Sequence, residues 1–258
     1  MIQLSLDDRD WYREAIRERD AKQKSKVVNF KDRSKQYLRG KNVAVSKSTG
    51  NAKADSIIVL LFVLFWAIKY GASYLVPYPA TVGFIAINVL IYILVNSHKL
   101  NVQQLGLSSV YVDRYKQWYR IITSAFTHEN VMHIVINIYS LYNLGTVLEQ
   151  MLGSNLFTAA YFLIGITGGF VSYLIHKKYQ PNVLAIGASG ILCGLLGVYV
   201  VIAFQFTGVN AIMSVASSMI ILVLMVFSKH IDSIGHFSGL GCGIGIGIVI
   251  VRLFYTGI

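Results

Sequence analysis

The 258-residue sequence has few charged residues and few cysteines, and both shortages exclude classes of protein. Charged side chains make up 14% of the chain, against about 25% in an ordinary soluble domain. The two cysteines, Cys193 and Cys242, lie in apolar stretches, so they form neither a disulfide framework nor a zinc-site spacing. We expect no metal and no cofactor. Hydrophobic residues make up 55% of the chain, in long uncharged runs typical of polytopic membrane proteins.

Charge is concentrated in an N-terminal tail, residues 1–55. The tail holds 14 of the 23 Lys and Arg and 8 of the 12 Asp and Glu, and so carries +6 of the net charge of +11. It lacks the apolar core of a signal peptide, and its acids argue against a mitochondrial leader. The same interleaved acids argue against nucleic-acid binding. The tail is therefore interpreted as a basic, soluble arm.

Seven apolar stretches follow the tail. The first, 56–76, is interrupted by Lys69, which could extend toward the membrane interface. The other six lie at about 81–97, 131–148, 156–176, 189–206, 209–228 and 234–255. The pattern predicts an all-α polytopic membrane protein, with a six-helix core over 80–258 and an extra N-terminal transmembrane helix over 56–76. The polar connection 98–130 should fold against the bilayer surface.

Polar residues that could perform chemistry stand near the starts of the second, fourth and sixth core helices. They are His128, His133, Asn137, Ser189 and His236. In an alternating bundle these three helices begin on the same side, so the polar groups share one membrane face and a similar depth. Each has an ordinary structural explanation alone, such as a bond to its own backbone or to a neighbouring helix. Together they supply the nucleophile, base and oxyanion donors of acyl transfer.

Small residues could bring two of these helices together. Of 22 glycines, 11 lie between residues 187 and 247. Glycines recur every four residues in the fourth and sixth core helices: Gly190 and Gly194, then Gly239, Gly243 and Gly247. Such ridges let helix backbones approach closely. Close approach is what a serine and its base require, since they must lie within about 3 Å of each other.

Three segments together resemble the signature segments of the rhomboid intramembrane serine proteases. They are "HENVMHIVIN" at 128–137, "GASG" at 187–190 and "HFSGLGCG" at 236–243, and the resemblance covers roughly 80–255. It implies a Ser–His dyad without an acidic third member, with Ser189 as nucleophile and His236 as general base. His133 and Asn137, with the Ser189 backbone N–H, would bind the oxyanion. Gly187 would let a substrate carbonyl approach the backbone.

The resemblance also implies supporting roles. His128 matches a histidine of structural role, Arg120 belongs to a Tyr-Arg pair where the family usually has Trp-Arg, and Glu149 matches a glutamate that braces the first loop. Gly190, Gly239 and Gly243 would support the contact between the two helices.

The sequence departs from the family pattern next to the dyad. Many relatives have an aromatic residue that stacks on the base, and Cys193 stands there instead. Asp232, four residues before His236, is interpreted as a helix N-cap or first-turn acid rather than as a third triad member.

The function implied by the resemblance is that of an intramembrane serine endopeptidase acting on single-span membrane proteins in the lipid bilayer. The alternative is a catalytically inactive rhomboid-like chaperone, which should lack the serine or the histidine. A transporter or channel is disfavoured, because the core spans carry no deep charges and show no paired halves. We expect a multi-pass protein of the bacterial inner membrane, and the sequence does not define its oligomeric state.

The sequence gives two conflicting indications of the membrane face on which the active site opens. The Lys and Arg of the core lie mainly in loops on the active-site face, and the positive-inside rule turns that face toward the cytoplasm. Many bacterial relatives open outward. If 56–76 spans, the basic tail shares the active-site side, and if it does not, the tail and the site face opposite ways.

Overall fold

The computed structural model describes residues 77–181, 183–206 and 232–254, along with 57 and 59–61. The tail 1–55, most of the predicted span 56–76 and the predicted span 209–228 lie outside the described residues. The helices in the described part are α1 (Pro79–Asn96), α2 (Val102–Leu105), α3 (Ser109–Tyr115), α4 (Arg120–Thr123), α5 (Val131–Tyr179), α6 (Ser189–Phe206) and α7 (Ser233–Phe254). A short 3-10 turn, Ser124–Phe126, follows α4.

Long apolar helices dominate this part of the chain. Among the described residues, α1, α5 and α7 are long and apolar enough to cross a membrane, and α6 adds the shorter apolar run Ser189–Gln205. The spans predicted at 81–97, 189–206 and 234–255 begin and end within two residues of α1, α6 and α7. The predicted all-α polytopic fold is therefore confirmed, while the total of six core helices plus one stays a prediction.

The predicted second and third core spans are the two arms of α5. The helix is interrupted at Gly153, whose φ of 73° and ψ of 157° are not helical. This left-handed φ favours glycine, which has no Cβ to clash with the backbone. The first arm therefore covers 131–152 and the second 154–179, and the chain changes direction between them without a loop.

Glu149 has a different role from the one its resemblance implied. Its carboxylate accepts hydrogen bonds from the backbone N–H groups of Ala80 (2.9 Å) and Thr81 (2.8 Å) at the start of α1. The Ser154 hydroxyl donates a third, at 2.7 Å. The expected bracing of the first loop is wrong, because Glu149 lies 18 residues beyond the start of α5, about 27 Å from the loop end of that helix. An acid is favoured at a helix N-terminus, where unpaired N–H groups concentrate positive charge.

α6 is the central helix of the described core. It packs against both α5 and α7. No residue between 189 and 203 is exposed, and Leu192, Leu195, Val198 and Ile202 are completely buried. A helix that is apolar all round is expected in such a position. Its N-terminal end, where Ser189 lies, is therefore held by protein rather than by lipid.

Glycines bring the backbones of α6 and α7 into direct contact. A Cβ added to Gly239 would overlap the carbonyl oxygen of Gly190, and a Cβ added to Gly243 would overlap that of Gly194. Further along, a Cβ on Gly197 would lie 2.7 Å from a backbone oxygen of α7. Only residues without a side chain permit this approach. We refer to this contact as the glycine seam.

The connection 98–130 contains α2, α3 and α4 and is organised around the buried Arg120. Its guanidinium donates to the backbone oxygens of Gln103 (2.7 Å) and Gly106 (2.6 Å) and to the Gln117 side chain (2.7 Å). It also lies 4.4 Å from the ring centroid of Tyr111. A planar group with five donors can satisfy several carbonyls of an irregular loop at once.

Candidate active site

The two residues predicted to form the dyad are in contact. Ser189 is the first residue of α6, and His236 lies in the first turn of α7. Ser189 Oγ and His236 Nε2 are 2.7 Å apart, a hydrogen-bond distance, although 47 residues separate them in sequence. Both are almost fully buried, with 4% and 3% of their surfaces exposed. The pair can transfer a proton from hydroxyl to imidazole, and its position follows from how α6 and α7 begin.

The glycine seam fixes this contact. Gly190 directly follows the serine and Gly235 directly precedes the histidine, and a Cβ on Gly190 would lie 3.3 Å from the Gly235 carbonyl oxygen. One helical turn further along α7, Gly239 packs against Gly190. Backbone contact at this end of the seam brings the first turns of α6 and α7 close enough for their side chains to share a hydrogen bond.

His236 has one ring nitrogen engaged and one free. Among the residues the structure describes, its Nδ1 has no hydrogen-bond partner, so no carboxylate orients the ring in the manner of a triad. The Asp232 carboxylate does not bond to His236 Nδ1. Its Oδ1 instead accepts the Gly235 backbone N–H at 3.1 Å, as an N-cap does. This agrees with the N-cap interpretation of Asp232.

The backbone of the first turn of α6 faces the dyad with donors available. The helical ladder begins with the bond from the Leu192 N–H to the Ala188 carbonyl, at 2.9 Å. The N–H of Ser189 precedes that ladder, among the groups that a helix N-terminus leaves without intrahelical partners. Such groups, together with the helix dipole, stabilise negative charge.

His133 and Asn137 lie on one face of α5, near residue 187. Asn137 Nδ2 donates to the His133 carbonyl oxygen at 2.9 Å, which uses one of its two amide hydrogens. A Cβ on Gly187 would collide with the His133 imidazole at Nε2, so the ring rests against the Gly187 backbone, two residues before Ser189. Gly187 has a φ of 105°, and its N–H donates to the Ser124 carbonyl at 2.9 Å.

His128 is not part of the cluster that touches Ser189. Its ring lies 5.0 Å from that of His133, edge to face, and is 1% exposed. Burial, with the neighbouring His133, holds the pKa of His128 well below its ordinary value. His128 therefore packs against His133 as a neutral imidazole, and its structural role stays a prediction.

The strand-like segment before Ser189 is tied to the first loop. Leu107 and Ala185 exchange backbone hydrogen bonds at 2.9 and 2.8 Å, and residues 183–187 are partly exposed. The pairing holds residues 183–187 against the first loop, directly before the first turn of α6. Cys193, one turn along α6, is buried at 4% exposure. Within the described residues, no group of three or more His, Cys, Asp and Glu side chains is arranged to hold a metal ion.

Sequence reasoning missed one residue near the dyad, His176. Its Nε2 donates to the Asp232 carboxylate, 2.9 Å from Oδ1 and 3.0 Å from Oδ2, and the residue is 2% exposed. Nothing local marks it, because it stands at the end of an apolar span and its partner is 56 residues away. The only available signal was the acid four residues before His236.

The fold and this cluster define an α-helical, multi-pass membrane protein with a buried Ser–His pair where two closely packed helices begin. Residues 115–253, more than half of the chain, match the Rhomboid domain family. The chain therefore belongs to the rhomboid family, which confirms the resemblance of its sequence segments.

Curated relatives from three kinds of organism are similar to this chain. Rhomboid protease GluP of Bacillus subtilis (strain 168) is 28% identical over 167 residues, 61% of this chain and 32% of that protein. Rhomboid-like protease 3 of Toxoplasma gondii is 25% identical over 177 residues, 64% of this chain and 65% of that protein. RHOMBOID-like protein 5 of Arabidopsis thaliana is 30% identical over 147 residues, 54% of this chain and 46% of that protein. The chain thus spans between a third and two thirds of the length of these relatives.

Proposed function

We propose that this chain is an intramembrane serine endopeptidase in which Ser189 is the nucleophile and His236 the general base. The observation that carries the proposal is the 2.7 Å separation of Ser189 Oγ and His236 Nε2. A nucleophile and base must lie within hydrogen-bond reach for the proton to move as the attack proceeds. Membership of the rhomboid family supports the same assignment, since several relatives are named as proteases.

The reaction begins with proton transfer from Ser189 to His236. Ser189 Oγ attacks the carbonyl carbon of the substrate peptide, while its proton passes to Nε2 of His236. The tetrahedral intermediate collapses as the C–N bond breaks, and the His236 imidazolium gives its proton to the leaving amine. Water then attacks the acyl-enzyme with His236 again as base, which releases the acid product and restores the serine.

Three donors would stabilise the oxyanion of the intermediate. They are the Ser189 backbone N–H at the start of α6, the imidazole of His133, and the second amide hydrogen of Asn137. The collision that any side chain at residue 187 would make with His133 indicates how closely these groups surround the carbonyl position. Losing one such donor costs about 3–4 kcal/mol of transition-state stabilisation in a soluble serine protease.

The proposed substrate is a single-span membrane protein, cut in or near its transmembrane segment. In this scheme residues 80–258 form the catalytic core, 56–76 an additional span and 1–55 a basic, soluble tail. The bacterial inner membrane is the proposed location. The buried Ser–His contact favours a protease over the alternative, an inactive rhomboid-like chaperone, because a binding protein has no need of that hydrogen bond.

The test is covalent labelling of the purified, detergent-solubilised protein with a fluorophosphonate probe, which reacts with activated serines. Wild type should be labelled, and Ser189→Ala and His236→Ala should not. Ser238→Ala is a matched control, since this buried serine lies two residues from His236 and its hydroxyl has no partner within the described part of the chain. Label retained by folded Ser189→Ala would contradict the assignment, and a folded wild type without label would favour the chaperone.

A further inference from the structure

The contact between His176 and Asp232 links two helices close to the dyad. His176 lies three residues before the end of α5 at Tyr179, and Asp232 caps the first turn of α7. The imidazole reaches both carboxylate oxygens, at 2.9 and 3.0 Å, from a residue that is 2% exposed. A charge-assisted bond in so buried a place is shorter and stronger than one at the surface.

Asp232 is also directly coupled to His236. Its backbone carbonyl accepts the His236 N–H at 3.3 Å, in the first helical bond of α7. Its Oδ1 accepts the Gly235 N–H, and a Cβ on Gly235 would approach Oδ2 at 2.7 Å. The whole turn from Asp232 to His236 is thus built around one carboxylate, and that carboxylate is held from outside the helix by His176.

No contact orients the imidazole of His236 through its free ring nitrogen. His236 Nδ1 has no hydrogen-bond partner among the described residues, and Cys193, one helical turn beyond Ser189, has no aromatic ring that could stack on the imidazole. The position of the imidazole therefore depends on the backbone that carries it. Two contacts set that backbone: the glycine seam against α6, and the His176–Asp232 bond against α5.

We infer that His176 and Asp232 form a positioning pair, which orients His236 through the first turn of α7 and so performs indirectly what the acid of a triad does directly. The inference rests on the proposed function. Neither residue touches the reacting atoms. Their effect is on the geometry of the Ser189–His236 bond, and misplacement of a catalytic group by about 1 Å lowers rates by on the order of 100-fold.

The experiment measures the rate of fluorophosphonate labelling as a function of probe concentration for wild type, His176→Ala, Asp232→Ala and the double variant. We expect each single substitution to lower the maximal labelling rate by roughly 10- to 100-fold. The half-saturating probe concentration should stay near the wild-type value, and the fully labelled endpoint should still be reached. The double variant should be no slower than the slower single variant, because both substitutions remove the same bond.

Two further variants separate positioning from loss of structure. His176→Gln keeps an N–H donor for the carboxylate and should recover most of the rate, including where His176→Ala fails to fold. Tyr173→Phe is the matched control: it removes a bond from the same turn of α5, but to Asp113 in the first loop rather than to α7. It should be labelled at the wild-type rate.

The results that overturn the inference are distinct from those that overturn the proposed function. Four outcomes would each overturn the positioning role alone. Folded His176→Ala or Asp232→Ala could be labelled at the wild-type rate, or the losses of labelling rate could multiply in the double variant. His176→Gln could fail to recover the rate, or Tyr173→Phe could lose as much rate as His176→Ala. A folded wild type that takes no label would overturn the proposed function, and the positioning role with it.

Discussion

The glycine seam makes a sharp prediction for two glycines of α7 that lie two residues apart, Gly241 and Gly243. A Cβ on Gly241 would meet no atom within 4 Å, whereas one on Gly243 would overlap the Gly194 carbonyl oxygen and lie 2.6 Å from the Gly194 Cα. Ordinary contact begins near 3.4 Å, and the Gly194 carbonyl oxygen is the nearest obstacle, so α6 and α7 would have to separate by about 1.5 Å at this point. The same helix therefore provides both the perturbation and its control.

The two alanine variants should move stability in opposite directions. In a helix interior, replacing glycine by alanine is favourable by roughly 0.5–1 kcal/mol, and Gly241→Ala should show that gain. Gly243→Ala should instead lose about 1–3 kcal/mol, the usual effect of overpacking, because its new methyl group meets backbone that cannot change rotamer. Thermal unfolding in detergent should show a Tm several degrees lower for Gly243→Ala than for Gly241→Ala.

The labelling rate should follow the same division. A separation of about 1.5 Å carried to the start of the helices would lengthen the Ser189–His236 contact from 2.7 Å to about 4 Å, beyond a hydrogen bond. We expect Gly243→Ala to label at least about 10-fold more slowly than Gly241→Ala. Equal Tm values and equal rates for the two variants would refute direct backbone packing along the seam.

Three further predictions concern the backbone before the dyad, the start of α1 and the first loop. Gly187→Ala should slow labelling by about 10-fold or more, because residue 187 has a φ of 105° and rests against the His133 imidazole. Gly83→Ala is the control, since a Cβ there meets no atom within 4 Å, and it should be labelled at the wild-type rate. Glu149→Ala should lower the unfolding free energy by about 1–3 kcal/mol through loss of the α1 cap, with the labelling rate of folded protein unchanged. Burial raises the pKa of Asp113, but its bonds to Tyr173 and Lys177 outweigh burial and leave that pKa below its ordinary value.

The Asp113 carboxylate therefore stabilises the fold above its unfolded pKa, and this contribution disappears as pH falls through the lower, folded pKa. Thermal unfolding of wild type and Asp113→Asn should differ at neutral pH and converge below about pH 4. A difference that grew as pH fell would contradict this sign. Rapid labelling of Gly187→Ala, or a Glu149→Ala variant as stable as wild type, would contradict the other two predictions.

The sequence predicted the positions of the helices better than it predicted the contacts between them. Long uncharged runs located α1, α6 and α7 because burial of apolar side chains is a local property of the chain. Helix parity and the glycine spacing indicated that Ser189 and His236 share one end of the seam. Glu149 was assigned to the wrong end of its helix, because resemblance gives a residue a role without the distance to its partner.

The contacts that sequence reasoning did not supply join residues far apart in the chain. His176 and Asp232 are separated by 56 positions, and neither belongs to a motif. The direct junction at Gly153 was also missed, since a single glycine in a left-handed conformation needs no turn sequence around it. Hydrogen bonds of this kind depend on where two helix ends meet, and that is set by packing of the whole bundle.

The length of α6 has a consequence for where hydrolysis can occur. Its 18 residues extend about 27 Å, slightly less than the roughly 30 Å of hydrocarbon in a typical bilayer. Because neighbouring helices enclose its N-terminal end, α6 can be this short without presenting the unpaired N–H groups of its first turn to lipid. With α6 centred in the bilayer, a serine at its first residue would lie just beneath the water–lipid boundary, and the length of this one helix would set the proposed cleavage depth, at about 1.5 Å per residue.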